Sequence, residues 1–148
     1  MKYFLETVPE YLKKLTPEAQ PKWGELNASA MLRHLRLGLK GSLEIADGEL
    51  NFPSEKLPRA KAFLMSDKPF PQSAPMPYFY HNQPDVEDYT QNLEDLLAFI
   101  PKFVEETQKR KNFVSFHPSF GHLNAEETLQ LHFKHFRHHL QQFGLYPE

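Results

Sequence analysis

Four of the eight histidines in this 148-residue chain fall between His132 and His139, and the chain has no cysteine. That pairing turns attention to nitrogen ligands for a metal. It excludes disulfide frameworks, thiolate zinc fingers, iron–sulfur clusters and a catalytic cysteine. Within the run, His135 and His139 stand four residues apart. On a helix such residues have Cβ atoms about 5–6 Å apart, so both imidazoles can reach one ion at about 2.0–2.1 Å. The plainer reading of an H-x-x-x-H pair is the polar flank of an amphipathic helix. His34 weighs against it, because an imidazole facing inward beside Gly38 and Gly41 is costly to bury without a partner and is placed to be a third ligand. Taken alone, His34 reads as a hydrogen-bonded core histidine.

Other chemistries lack their residues. There is no H-E-x-x-H, which removes the zincin arrangement, and no E-x-x-H, which removes the ferritin-like di-iron pattern. No carboxylate lies obviously within the histidine group, so a two-histidine, one-carboxylate iron site has no support. G-x-S-x-G, P-loop and G-x-G-x-x-G motifs are missing too, leaving no case for a serine triad or a nucleotide cofactor. A net charge of −2 and a pI near 6.4 give no positive field for nucleic acid or an anionic membrane. Glu6 interrupts the start before any signal-peptide core, and no apolar run approaches a membrane span. The expected location is therefore cytoplasmic.

The elements that must position these histidines are helices. Val8, Tyr11, Leu12 and Leu15 continue a helical spacing begun at Phe4 and Leu5, with Thr7 and Glu10 offering a capping box and an end near Thr16. A second helix opens at the N-cap Asn27, with Leu26 and Met31 as a hydrophobic staple, and runs to about Ala46–Gly48. Its apolar arc is wide: Ala28, Leu32, Leu35, Leu39 and Leu43 form one stripe, and Met31, His34, Gly38, Gly41 and Ile45 adjoin it. From Asn51 to Pro84 the chain holds seven of its 13 prolines, which rules out a long helix and leaves a crossover with short turns such as 58–65. Phe63, Phe70, Tyr78, Phe79 and Tyr80 give that crossover enough apolar mass to pack. A third helix follows Asp85 and reaches about Lys109, with Pro101 expected to kink it. The segment 112–116 reads as short and extended. A fourth helix opens at Asn124 with Glu127 as capping-box partner and closes before Gly144. Four helices with one long connection between the second and third predict an all-α four-helix bundle, one domain over residues 1–148.

On the last helix, at 100° per residue, His135 and His139 lie at about 0° and 40°, Gln142 at about −20° and His132 at about 60°. Gln142 reads equally as a group holding a ligand or water and as a solvated side chain. His117, in a loop containing proline and glycine, is a candidate proton carrier at the site, although a hydrogen bond that pins its loop is the simpler reading. Trp23 is expected to pack under the second helix. His122, His132 and His138 are expected on the surface.

The segments Pro21-Lys22-Trp23-Gly24 through Met31-Leu32-Arg33-His34, then His117-Pro118-Ser119-Phe120-Gly121, then His135 to Gly144, resemble the DinB/YfiT-like superfamily. Nearly the whole chain takes part. Within that superfamily it is most similar to a branch of unknown function with an H-P-x-F-G loop and an H-x-x-H-H helix. The resemblance implies an up-down-down-up four-helix bundle with a long second crossover, and one divalent ion, commonly nickel or zinc, on three histidines. These fall on His34, His135 and His139. Relatives of this kind include metal-dependent transferases of low-molecular-weight thiols, and many are dimers. Three nitrogen ligands would leave an open position, the pattern of a catalytic metal. A thiol or water activated there would attack an electrophilic small molecule, giving transfer or hydrolysis, and any sulfur must arrive with the substrate. A bundle that binds a small ligand or a protein without catalysis is the competing expectation.

Overall fold

A computed structural model describes residues 6–72 and 83–147. Phe4, Leu5, Tyr78, Phe79 and Tyr80, assigned above to the first helix and the crossover, lie outside the described residues. The fold is mostly helical, with α1 at Val8–Leu12, α2 at Ala28–Glu44, α3 at Leu57–Leu64, α4 at Tyr89–Lys109 and α5 at Ala125–Gln142. An antiparallel hairpin, β1 at Ser115–His117 and β2 at Gly121–Leu123, joins α4 to α5. That hairpin was not expected as such. Its strands carry only three residues each, too few to display an alternating pattern.

The caps explain the two helices that matter most. Asn27 accepts a hydrogen bond from the Ala30 N–H at 2.7 Å and starts α2. At α5 the capping box forms in full: Asn124 Oδ1 accepts from the Glu127 N–H at 2.8 Å, and Glu127 Oε1 accepts from the Asn124 N–H at 3.0 Å. The box expected at Thr7 and Glu10 does not form. Thr7 already has helical backbone angles and makes no cap, and α1 is one short turn and a half ending at Leu12. At the other end of α2 the chain turns extended at Ile45, which is 52% exposed and no part of the apolar stripe. A 3-10 turn at Val86–Asp88 leads into α4, and Pro101 lies inside that helix on an exposed face.

Two apolar clusters hold these elements. In the larger, Leu32, Leu35 and Leu39 of α2 meet Leu96, Ile100 and Phe103 of α4 and Phe136 and Leu140 of α5, with Val8 and Leu12 of α1 closing one end. Each leucine fully removed from water there contributes about 1.5–3 kcal/mol. The smaller cluster joins Leu64 of α3 and Phe120 and Leu123 of the hairpin to Leu131 of α5. It is reinforced by Lys134, a lysine only 1% exposed, whose Nζ donates to the carbonyls of Phe63 at 2.8 Å and Ser66 at 3.2 Å. The same ammonium stands 4.0 Å from the Phe63 ring centroid. Lys134 thus clamps the crossover to the outer side of α5. His135, His139 and His132 lie on another face of that helix, about 100–160° around it from Lys134.

Candidate metal site

The buried side of α5 is a polar seam set into an apolar core. Thr128, His132, His139 and Gln142 are buried and His135 is half-buried, at alternating steps of four and three residues that keep all five facing inward. Each finds a partner on another element or on the seam itself. Thr128 meets Ser115 of β1 at 2.7 Å, and His132 Nε2 lies 2.7 Å from Ser42 Oγ of α2. His135 Nε2 lies 2.7 Å from His34 Nε2 of α2 and 3.1 Å from His139 Nε2. His139 Nδ1 meets Gln142 Oε1 at 2.7 Å, and Gln142 Nε2 donates to the Trp23 carbonyl at 3.0 Å.

The three imidazoles of His34, His135 and His139 converge, with their candidate ligand atoms all within 4.8 Å of one another. Ring centroids stand 4.6 Å apart for His34 and His135, and 4.8 Å apart for His34 with His139 and for His135 with His139. No Asp or Glu joins this group among the described residues. Burial pushes the His34 pKa down to about 4 and holds His135 and His139 well below the ordinary histidine value, with the neighbouring rings adding to the shift. All three are neutral at pH 7, the form that ligates.

The contacts at His135 Nε2 test whether a cation fits. A neutral ring nitrogen offers either one N–H or one lone pair, yet this atom has a second imidazole nitrogen on each side. It cannot make two full hydrogen bonds. A cation between the rings accepts all three lone pairs at once. Nitrogen ligands about 2.0–2.1 Å from a tetrahedral ion stand about 3.3 Å apart, so the pairs now at 2.7 and 3.1 Å need to part by about 0.6 and 0.2 Å, in a group whose ligand atoms all lie within 4.8 Å of one another.

The remaining histidines divide differently from expectation. His132 is 2% exposed, packed edge-on against Phe103 at 5.0 Å, and its pKa falls to about 3 through burial and then the charge of His117. Reading it as a surface residue was wrong. It lies seven positions before His139, about 20° away on the wheel, and that heptad step was the available signal. His138 is half-buried: its ring packs against Trp23, Phe70 and His139 at 5.6, 6.2 and 5.0 Å. Trp23 accordingly meets α5 through the His138 ring. His122 is exposed, 2.9 Å from Asp47. Gly38 lies beside the His132 and His135 rings, whereas Gly41 touches neither. Gln142 is 4% exposed, which disposes of the solvated alternative.

His117 ends β1 at the mouth of the hairpin turn, outside the three-histidine group. Its Nδ1 accepts from the Ser119 N–H at 3.0 Å, and its carbonyl accepts from the Phe120 N–H at 3.1 Å. Gly121 completes the turn with a φ of +74°, a region only glycine enters cheaply. The observed contacts of His117 are those of a loop pin.

The fold and site define a mostly helical protein with a buried three-histidine group able to receive a metal ion. Residues 4–145 match a family described as "Protein of unknown function (DUF1569)", and the chain belongs to that family. No curated protein and no solved structure matches the chain. No helix among the described residues is long and apolar enough to cross a membrane.

Proposed function

We propose that this protein is a DinB-like metal-dependent enzyme, acting on a small molecule through one divalent ion held by His34, His135 and His139. The observation that carries the reading is the convergence of three neutral imidazoles on one point, two of them 2.7 Å apart at Nε2. Nickel and zinc suit an all-nitrogen ligand set, since imidazole is an acceptable ligand for both. The proposed domain spans the chain as a four-helix bundle of α1, α2, α4 and α5, with α3 carried in the crossover; the packing of α2 on α4 and α5 supports it.

When bound with only three protein ligands, such an ion supplies an open position whose charge lowers the pKa of a thiol or water placed there. The chain's own residues do the rest. His139 is anchored on the buried side by Gln142, and His34 and His135, both half-buried, form the side nearer solvent. Leu35, Leu39, Phe136 and Leu140, all fully buried, form the apolar core on which the site is built and keep water from its inner side. With no cysteine in the chain, a thiol nucleophile comes from a cosubstrate of low molecular weight.

The test is to incubate metal-loaded protein with an electrophilic probe, with and without a panel of such thiols. Consumption that needs a thiol and disappears in His34→Ala and His135→Ala supports thiol transfer, and the same losses without any thiol requirement support hydrolysis. Equal consumption by the wild type and both variants overturns the enzymatic reading and leaves a non-catalytic binding module.

A further inference from the structure

We propose that Gln142 is a positioning residue for His139, selecting the tautomer that turns the Nε2 lone pair toward the other two histidines. The inference rests on the three-histidine metal reading and adds to it a residue that touches no metal. Gln142 and His139 are 4% and 6% exposed, one turn apart at the end of α5. The Gln142 side chain is held at both ends, and the two ends determine each other.

A backbone carbonyl only accepts hydrogen bonds, so the atom 3.0 Å from the Trp23 oxygen must be the amide nitrogen of Gln142. That settles which way the amide faces. The amide oxygen is then the atom 2.7 Å from His139 Nδ1, and it too only accepts. Nδ1 must therefore carry the proton. In a neutral imidazole this leaves Nε2 with its lone pair, and Nε2 is the atom 3.1 Å from His135 Nε2. Free histidine side chains favour the opposite tautomer, with the proton on Nε2, which would aim an N–H at the ligand position.

The anchor has a second fastening. The Lys22 N–H donates to the Gln142 carbonyl at 2.7 Å, so residues 22–23 grip both the backbone and the side chain of Gln142. The next residue, Gly24, has a φ of +75°, and a Cβ there would stand 3.1 Å from Gln142 Nε2. A glycine is what lets the loop reach the amide without displacing it. The chain of contacts runs from the loop before α2, through Gln142, to His139, the most buried of the three ligands by exposure. Groups in this position typically change metal affinity 10–100-fold when removed.

The experiment uses metal-free, 15N-labelled full-length protein, long-range proton–nitrogen spectra of the imidazoles, and zinc affinity by chelator competition. Wild-type protein should show His139 protonated at Nδ1 and bare at Nε2. Gln142→Met, similar in size but unable to accept from Nδ1, should shift His139 toward the Nε2–H tautomer and weaken zinc about 10–100-fold. Gln142→Glu, which keeps an acceptor, should restore the tautomer and return affinity to within about tenfold of wild type. A wild-type His139 protonated at Nε2, or an unchanged tautomer in Gln142→Met, overturns the proposal. So does zinc affinity in Gln142→Glu as weak as in Gln142→Met, which would mark a purely packing role. The wild-type spectrum needs no variant to fold, and it decides the tautomer even if zinc does not bind, in which case only the metal reading fails.

Discussion

Acidification should destabilise this protein steeply, and His132 allows the magnitude to be worked out. Its folded pKa is about 3 against 6.5 for an unperturbed histidine, because burial disfavours the imidazolium and the charge of His117 adds to it. Between these values the unfolded chain takes up a proton that the folded chain refuses. Stability is therefore fully present above about pH 6.5 and declines as pH falls toward the folded value. Over the roughly 1.5 pH units from 6.5 to 5, at 1.36 kcal/mol per unit, His132 alone removes about 2 kcal/mol. His34, with a folded pKa near 4, acts in the same direction. Against a typical total of about 5–15 kcal/mol this is a large fraction. The assay is urea unfolding at pH 7 and pH 5 with chelator present, in wild type and His132→Gln, which keeps a polar partner for Ser42 but does not titrate. The loss on acidification should be smaller in the variant by about 2 kcal/mol. An equal loss in both proteins would mean that His132 titrates normally in the folded state, and the argument from burial would be wrong.

Two further substitutions test the supports of the site. Lys134→Met should leave the Ser66 carbonyl without its lysine donor, while Phe63 keeps its bonds from the Ser66 N–H and hydroxyl, and should cost about 1–3 kcal/mol in urea unfolding, with faster proteolysis of α3 and the residues following it; unchanged stability and cleavage would show that the ammonium is dispensable as a clamp. Asn124→Ala removes the capping box of the helix that carries three of the four inward histidines, and should cost about 1 kcal/mol by the same measurement, without changing the tautomer of His139.

What could be read from the residues, and what could not, follows from the range of the interactions. Asn27, and Asn124 with Glu127, act within one turn of chain, so their caps were visible as spacing. His135 and His139 share a helix face for the same local reason, and the inward arc of α2 brought in His34. His132 was misplaced because a wheel states which residues share a direction, not what lies opposite them. Ser42 on α2 and Phe103 on α4 cover that arc, and both are remote in sequence. Lys134 is a sharper case: a lysine is buried only where partners wait, and here they are backbone carbonyls at and beyond the end of α3. Carbonyls have no sequence signature. Gln142 stood on the right face from the start, but its role depends on which end of its amide meets Trp23, a fact of tertiary structure.

The central claim is that His34, His135 and His139 together hold one metal ion, and metal content tests it most directly. Protein purified without a nickel column should carry about one equivalent of a divalent metal by elemental analysis, lost in both His34→Ala and His135→Ala. Less than about 0.2 equivalents in wild type, unchanged by His34→Ala, would contradict the account.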